Sequence, residues 1–306
     1  MKYLVTVTCL AISLAGFSQI NSSDTSASCV AYWKKGERKV LSIIHNKESY
    51  ESGESKSNGA FAYQADVLIL DSTSQGYKIQ WTFHLPDLLK KTHPLLADSL
   101  PVFEGMKMVF TTSQTGAFTE LLNWQEVKDT YIKMMELSLP KNLDSAAKSA
   151  IAQSKALFNS KEMVEASMIN EIRVFYFPYG YKFTTRETKA NAEFPNPFAD
   201  EPLPAVQTYQ ITELKPKQDY FKLVVKQDID KVAAEKILDG LLRKMNVPQD
   251  SSAVEAKKIL SSLEIKEYRE YYIFQSTGWL KNVIYKKTAK NTQINQTDSY
   301  LIEMRN

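Results

Sequence analysis

Residues 61–84, FAYQADVLILDSTSQGYKIQWTFH, alternate apolar and polar side chains on either side of a short polar turn. Val67 and Ile69 fall on one side of the first arm. In the second arm Tyr77, Ile79, Trp81 and Phe83 recur at every other position, separated by Lys78, Gln80 and Thr82. A period of two lets a strand bury one face and leave the other to water. Ser74-Gln75-Gly76 supplies the turn between the arms. The stretch predicts an antiparallel hairpin, Phe61 to Asp71 and Tyr77 to His84, with an aromatic buried face.

The same pattern recurs outward from this hairpin. Cys29 to Trp33 and Lys39 to Tyr50 read as strands around a turn at Lys35-Gly36-Glu37, and the polar run Glu51 to Gly59 reads as a hairpin loop. Met106 to Thr112 and Ala117 to Leu122 form a second hairpin about Gln114-Thr115-Gly116. Later strands are expected at Tyr181 to Thr188, Ala205 to Leu214, Tyr220 to Lys226, Glu267 to Gln275, Trp279 to Lys287 and Ser299 to Met304. Four prolines, Pro195, Pro197, Pro202 and Pro204, predict a surface loop without regular pairing over Asn191 to Pro204.

Helical spacing appears between these runs. Asn123 with Glu126 three positions on predicts a capping box, opening a helix through Val127, Tyr131 and Met134 that Pro140 ends. Short helical character at Asp87 to Lys91 and helices at Asp144 to Phe158, from Ser160 to about Val174, at Lys231 to Met245 and at Ser252 to Leu263 complete the set. The predicted class is α+β: an antiparallel sheet, curved or in two parts, with helices packed on its apolar face. Residues 29–175 and 176–306 have related element orders. They read either as an internal duplication or as two halves of one continuous domain.

Met1 to Gln19 has the parts of an export signal. Lys2 supplies the charge, Tyr3 to Gly16 the apolar stretch, and Gly16 and Ser18 the small side chains before a junction at Ser18 and Gln19. Residues 1–18 are expected to be removed, with 19–28 a flexible leader. Cleavage would discard Cys9 and leave Cys29 as a lone thiol, so stability must come from a core rather than a disulfide. No later run approaches the length of a membrane span. A formal charge of +3, dispersed along the chain, gives no basis for binding nucleic acid.

Catalytic patterns do not survive inspection. His45, His84 and His93 lack ligand spacing for zinc, and no phosphate loop or dinucleotide fingerprint occurs, so neither a metal nor a cofactor is implied. Ser145-Ala146-Ala147-Lys148 matches a Ser-x-x-Lys helix, but the Ser-Asp-Asn and Lys-Thr-Gly elements that accompany it in serine β-lactamases are missing. The most unusual local feature is the aromatic run Phe175 to Tyr181. Tyr176, Phe177, Tyr179 and Tyr181 are the candidate ligand-binding residues, able to line an apolar cavity or stack on a glycan. The competing reading is a helix-to-strand corner packed into the core.

The junction Gly16-Phe17-Ser18-Gln19, the opening Trp33-Lys34-Lys35-Gly36-Glu37, the turn Thr115-Gly116-Ala117-Phe118 and the helix start Asn123-Trp124-Gln125-Glu126-Val127 resemble exported envelope proteins of the Bacteroidetes whose activities are uncharacterised. The resemblance covers the leader and the first half of the chain. It implies a cell-envelope location, periplasmic or extracellular, and no activity. In architecture alone the chain is distantly similar to curved half-barrels that carry lipids or lipoproteins across the periplasm. Three functions follow in order: a non-enzymatic envelope protein binding an apolar or amphipathic ligand between sheet and helices; an interaction module for an envelope protein or a glycan; and a hydrolase with dispersed carboxylates.

Overall fold

A computed structural model describes residues 20–21, 25–85, 100–139, 151–152, 155, 158–194, 202–232, 262, 264–291 and 293–305. The expected export leader and its expected Ser18–Gln19 junction, His93, the expected helices at Asp87 to Lys91 and Ser252 to Leu263, most of those at Asp144 to Phe158 and Lys231 to Met245, and residues 195–201 of the expected loop lie outside the described residues.

Eleven described strands form one antiparallel sheet. One half is a meander of β3 (Arg38–Glu51), β4 (Glu54–Thr73), β5 (Gly76–His84), β6 (Lys107–Thr112) and β7 (Phe118–Leu121). The other is a meander of β9 (Thr188–Phe194), β10 (Leu203–Lys215), β11 (Tyr220–Ile229), β12 (Glu264–Phe274), β13 (Leu280–Lys290) and β14 (Ile294–Arg305). They join where β3 pairs with β14, in the order β7-β6-β5-β4-β3-β14-β13-β12-β11-β10-β9, so the sheet is continuous across both halves of the chain. A second, separately hydrogen-bonded sheet of β1 (Ile20–Asn21), β2 (Ser26–Ser28) and β8 (Lys182–Thr184) packs against β10, with Phe183 5.9 Å from Tyr209 between ring centroids.

Four short helices are described: α1 (Leu100–Phe103), α2 (Trp124–Leu137), α3 (Lys161–Met168) and α4 (Asn170–Tyr176). The fourth shows how far the sheet curves. Tyr176 packs edge-on to Phe110 of β6 at 5.1 Å between ring centroids, while the carbonyl of Val174 accepts from Tyr271 of β12 at 3.1 Å. Those strands stand six steps apart in the sheet, about 29 Å if it were flat. A helix only about 10–12 Å across reaches both because the sheet wraps around it.

Most expected strands are present, with differences at their margins, but Cys29 to Trp33 is not a strand, and Tyr181 to Thr188 divides between β8 and β9 of separate sheets. The polar run Glu51 to Gly59 is not a loop: β4 begins at Glu54, and only Ser52-Gly53, both at positive φ, make the turn. This arm is exposed on both faces, so it carries no apolar alternation to betray it. Pairing also extends into the proline-rich segment. Glu193 and Phe194 face Pro204 and Leu203, since a proline removes only a donor and the Pro204 carbonyl still accepts from Asp230 N–H at 2.8 Å. The helix expected from Ser160 to Val174 breaks at Ile169 into α3 and α4. At α2 the capping box does not form. Asn123 instead accepts from Val109 N–H at 2.8 Å and donates to Lys107 O and Glu126, tying the helix start to β6.

Ser26 and Ala27, expected in a flexible leader, are buried in β2 against β8. The chain then runs as a strap, residues 29–37, across one end of the wrapped sheet. Cys29 N–H donates to Tyr181 O, Gly180 N–H to Cys29 O, Ala31 N–H to Thr115 O and Gly36 N–H to Ile69 O, all at 2.8–3.1 Å. The indole of Trp33 donates to Gly278 O at 3.2 Å, and that of Trp279 to the Glu37 carboxylate at 2.8 Å. Burial pushes the Cys29 thiol well above its ordinary pKa and keeps it neutral. Among the described residues no helix is long and apolar enough to cross a membrane.

Candidate functional site

The strand register sorts the inner face into rows, because residues paired across neighbouring strands point to the same side. One row is apolar: Ile211, Leu223, Tyr271, Val283, Ile302, Ile43 and Tyr63. The next is mixed: Tyr209, Val225, Arg269, Tyr285, Tyr300, His45 and Phe61. The third is polar or charged throughout, with Gln207, Gln227, Glu267, Lys287, Asp298 and Lys47. The inner face therefore grades from apolar to polar or charged within four residues along β10 to β14 and β3.

Val174, Phe175 and Tyr176 of α4 are buried within the apolar core. Beside the helix a cleft of about 370 Å³ opens between α3–α4 and the mixed and charged rows, a size that suits a small ligand. Ser167, Asn170, Arg173 and Phe177 line the helical side, Arg269, Tyr285, Tyr300, Glu267 and Lys287 the floor, and Phe194 an end wall.

The floor is a hydrogen-bonded network. Arg269 pairs with the buried Glu267, which also faces Lys287 at 3.6 Å and the Tyr285 hydroxyl. Gln207 donates to Gln227 at 2.9 Å, and Gln227 to Glu193 O at 3.0 Å. Asp298 is held by His45 Nε2 at 2.7 Å, and the His45 ring stacks on Tyr300 at 4.2 Å. The Arg269 guanidinium lies over Phe177 at 4.5 Å, and Lys287 over Phe194 at 5.3 Å. Burial, reinforced by the charge of Glu267, raises the pKa of Tyr285; burial, with Glu171 and Asp298, raises that of Tyr300. Both phenols remain protonated and can donate.

Deeper along α4, the half-buried Glu171 accepts from the Tyr63 hydroxyl at 3.0 Å and lies near Tyr131, Tyr300, His45 and Asp298. Its pKa is raised, chiefly by burial, against the opposing pull of its hydrogen bonds and His45. The folded protein thus holds this proton more tightly than the unfolded chain. The associated stability is complete below the ordinary glutamate pKa of about 4.3 and is lost as pH rises through the raised value. Glu171→Gln, which cannot ionise but still offers Tyr63 an acceptor, is expected to melt higher than the parent at pH 7. The gap should close below about pH 4; thermal unfolding across that range measures it, and a gap that persists in acid would refute the assignment.

The four aromatic candidates separate. Tyr176 and Tyr179 are core: Tyr179 donates to Gly278 O at 2.8 Å, and both rings pack on Trp33. Phe177 forms part of the cleft wall. Tyr181 is 59% exposed, its ring stacked beyond Phe177 at 6.4 Å. The charged residues of the floor were not among the sequence candidates. Their signal was a repeated Glu-x-Arg and Tyr-x-Lys alternation in Glu267 to Arg269 and Tyr285 to Lys287, legible only once the inner face is known. Among the described residues no three His, Cys, Asp or Glu side chains gather to hold a metal.

No protein-family model matches the chain, and no curated protein matches it. Solved structures give distant likenesses. A lipovitellin chain, described for its lipid–protein interactions, aligns with 89% of this chain at TM-score 0.41 and 8% identity; the match spans about a quarter of the lipovitellin chain, 25%. Rv2717c from M. tuberculosis aligns over 86% of this chain and 91% of its own, at TM-score 0.20 and 7% identity. A domain from Vibrio parahaemolyticus assigned to outer membrane lipoprotein sorting aligns over 87% and 83%, at TM-score 0.18 and 8% identity. At such distances function has to be read from the residues of the cleft.

Proposed function

We propose that the protein is a non-enzymatic binding protein of the cell envelope that holds a small amphipathic ligand in the cleft beside α3 and α4. The observation that carries this reading is the graded inner face. Three adjacent rows pass from apolar through aromatic to charged, and the cleft lies over the last two. An amphipathic molecule matches that gradient, with its body against Phe177, Phe194 and Tyr285 and its head on the charged row. The leader at the start of the chain supports the envelope location.

Native mass spectrometry of protein purified from its own envelope tests this, with a co-purifying small molecule as the expected result. Phe177→Ala removes an aromatic wall of the cleft and is expected to weaken binding about tenfold, from lost stacking and apolar contact. Bare protein, together with unchanged affinity in Phe177→Ala, would sink the reading. A glycan-interaction module is the second reading, favoured by the exposed Tyr181 ring stacked outside Phe177. In that case Tyr181→Ala would matter more than Phe177→Ala.

A further inference from the structure

Resting on that reading, we infer that the cleft selects its ligand by an acidic head group, a carboxylate or a phosphate, received by Lys287 and the Arg269 guanidinium. Formal charge alone does not decide this. Arg173, Arg269 and Lys287 balance Glu193, Glu267 and Asp298 around the cleft. Hydrogen-bond accounting does decide it, because the buried acid is saturated while the cations keep N–H groups to spare.

Glu267 already receives Arg269, Lys287 and the Tyr285 hydroxyl, and Asp298 is taken by His45 at 2.7 Å. Glu193 is exposed, so solvent screens its carboxylate. On the donor side, Lys287 has three N–H groups and only a 3.6 Å approach to an already shared carboxylate. Arg269 has five, and its buried Nε has no acceptor among the described residues. Arg173 stands exposed on the cleft wall with no ion pair among the described residues. The Tyr300 phenol adds one donor more, since the Tyr285 hydroxyl is already given to Glu267. A floor with a donor surplus around one shared carboxylate calls for an acceptor-only group, and an acidic head supplies two or three oxygens in one place. An ammonium head would meet three cations, with only the solvent-screened Glu193 and the His45-held Asp298 to receive it.

Calorimetric titration of the purified protein with four decyl probes tests the inference: decanoate, decyl phosphate, 1-decanol and decylammonium, each below its micelle concentration. The two anions are expected to bind at least about tenfold more tightly than the alcohol, as charge-assisted bonds require, with decylammonium weakest. The tighter anion names the head group. Lys287→Gln should reduce the ratio of anion to alcohol affinity about tenfold. The paired change Glu267→Gln with Arg269→Gln removes both members of the buried ion pair, so neither is stranded, and should also abolish the preference. Equal binding of the alcohol and the anions would overturn the head-group inference while leaving an amphipathic ligand in place. Failure of all four probes would overturn both.

Discussion

Trp33→Ala is expected to cost about 3–5 kcal/mol of stability, the range for truncating a large aromatic in a packed core. Trp33 is 2% exposed, with the rings of Trp279, Tyr77, Tyr179 and Tyr176 centred 4.8, 5.0, 5.1 and 5.7 Å away. It also satisfies the Gly278 carbonyl, 245 positions away in sequence. Those partners come from β5, the end of α4 and the β12–β13 turn, so one ring fastens the strap to three separated parts of the chain. Alanine leaves a void lined by rings that are themselves held by neighbours and cannot collapse inward. Urea unfolding of the variant beside Tyr32→Ala, whose ring is exposed, gives the measurement; a loss below about 1 kcal/mol would mean that the strap does not seal this end.

Gly278→Ala is expected to be nearly as damaging, for a backbone reason. Gly278 sits at φ +64°, and a Cβ there would lie 2.5 Å from Val30 O and 3.0 Å from Tyr32 N. Both neighbours are main chain of the strap, which hydrogen bonds fix on either side, so the strap itself must move. Gly53→Ala is the control, since Gly53 also has positive φ, +85°, but nothing within 4 Å of the added carbon. Each alanine meets the left-handed penalty of about 1–2 kcal/mol, and Gly278→Ala adds about 1–3 kcal/mol for the close approach. Equal losses in the two variants, compared by chemical denaturation, would show that the strap does not lie against this turn.

How much of this was legible follows from where water sits. The Tyr77 to Phe83 arm announced itself because one of its faces is buried and the other wet, and period two is visible only under that contrast. The distal arm Glu54 to Gly59 is wet on both faces, and so its strand was taken for a loop. Tyr176 and Phe177 are adjacent and chemically alike. One is core and the other cleft wall because α4 turns a different side toward the sheet at each residue, which composition cannot reveal. The floor of the cleft was harder still. In β12, Glu267, Arg269 and Tyr271 face inward while Tyr268, Glu270 and Tyr272 face outward, and both sets mix aromatic with charged side chains. The inner set becomes identifiable only when Gln227, Lys287 and Asp298 line up beside it, and that alignment belongs to the register of separate strands.

The seam between the two meanders has a consequence for how the molecule is born. His45 and Asp298 face each other from strands whose contact spans 253 positions. Because β3 precedes β14 by most of the length of the chain, one of its sides stays unpaired until β14 is available to it. Such distant pairing is slow to close, and an open β edge invites wrong partners in the interval. The rows of the inner face run unbroken from β10 to β4 only once that seam has closed.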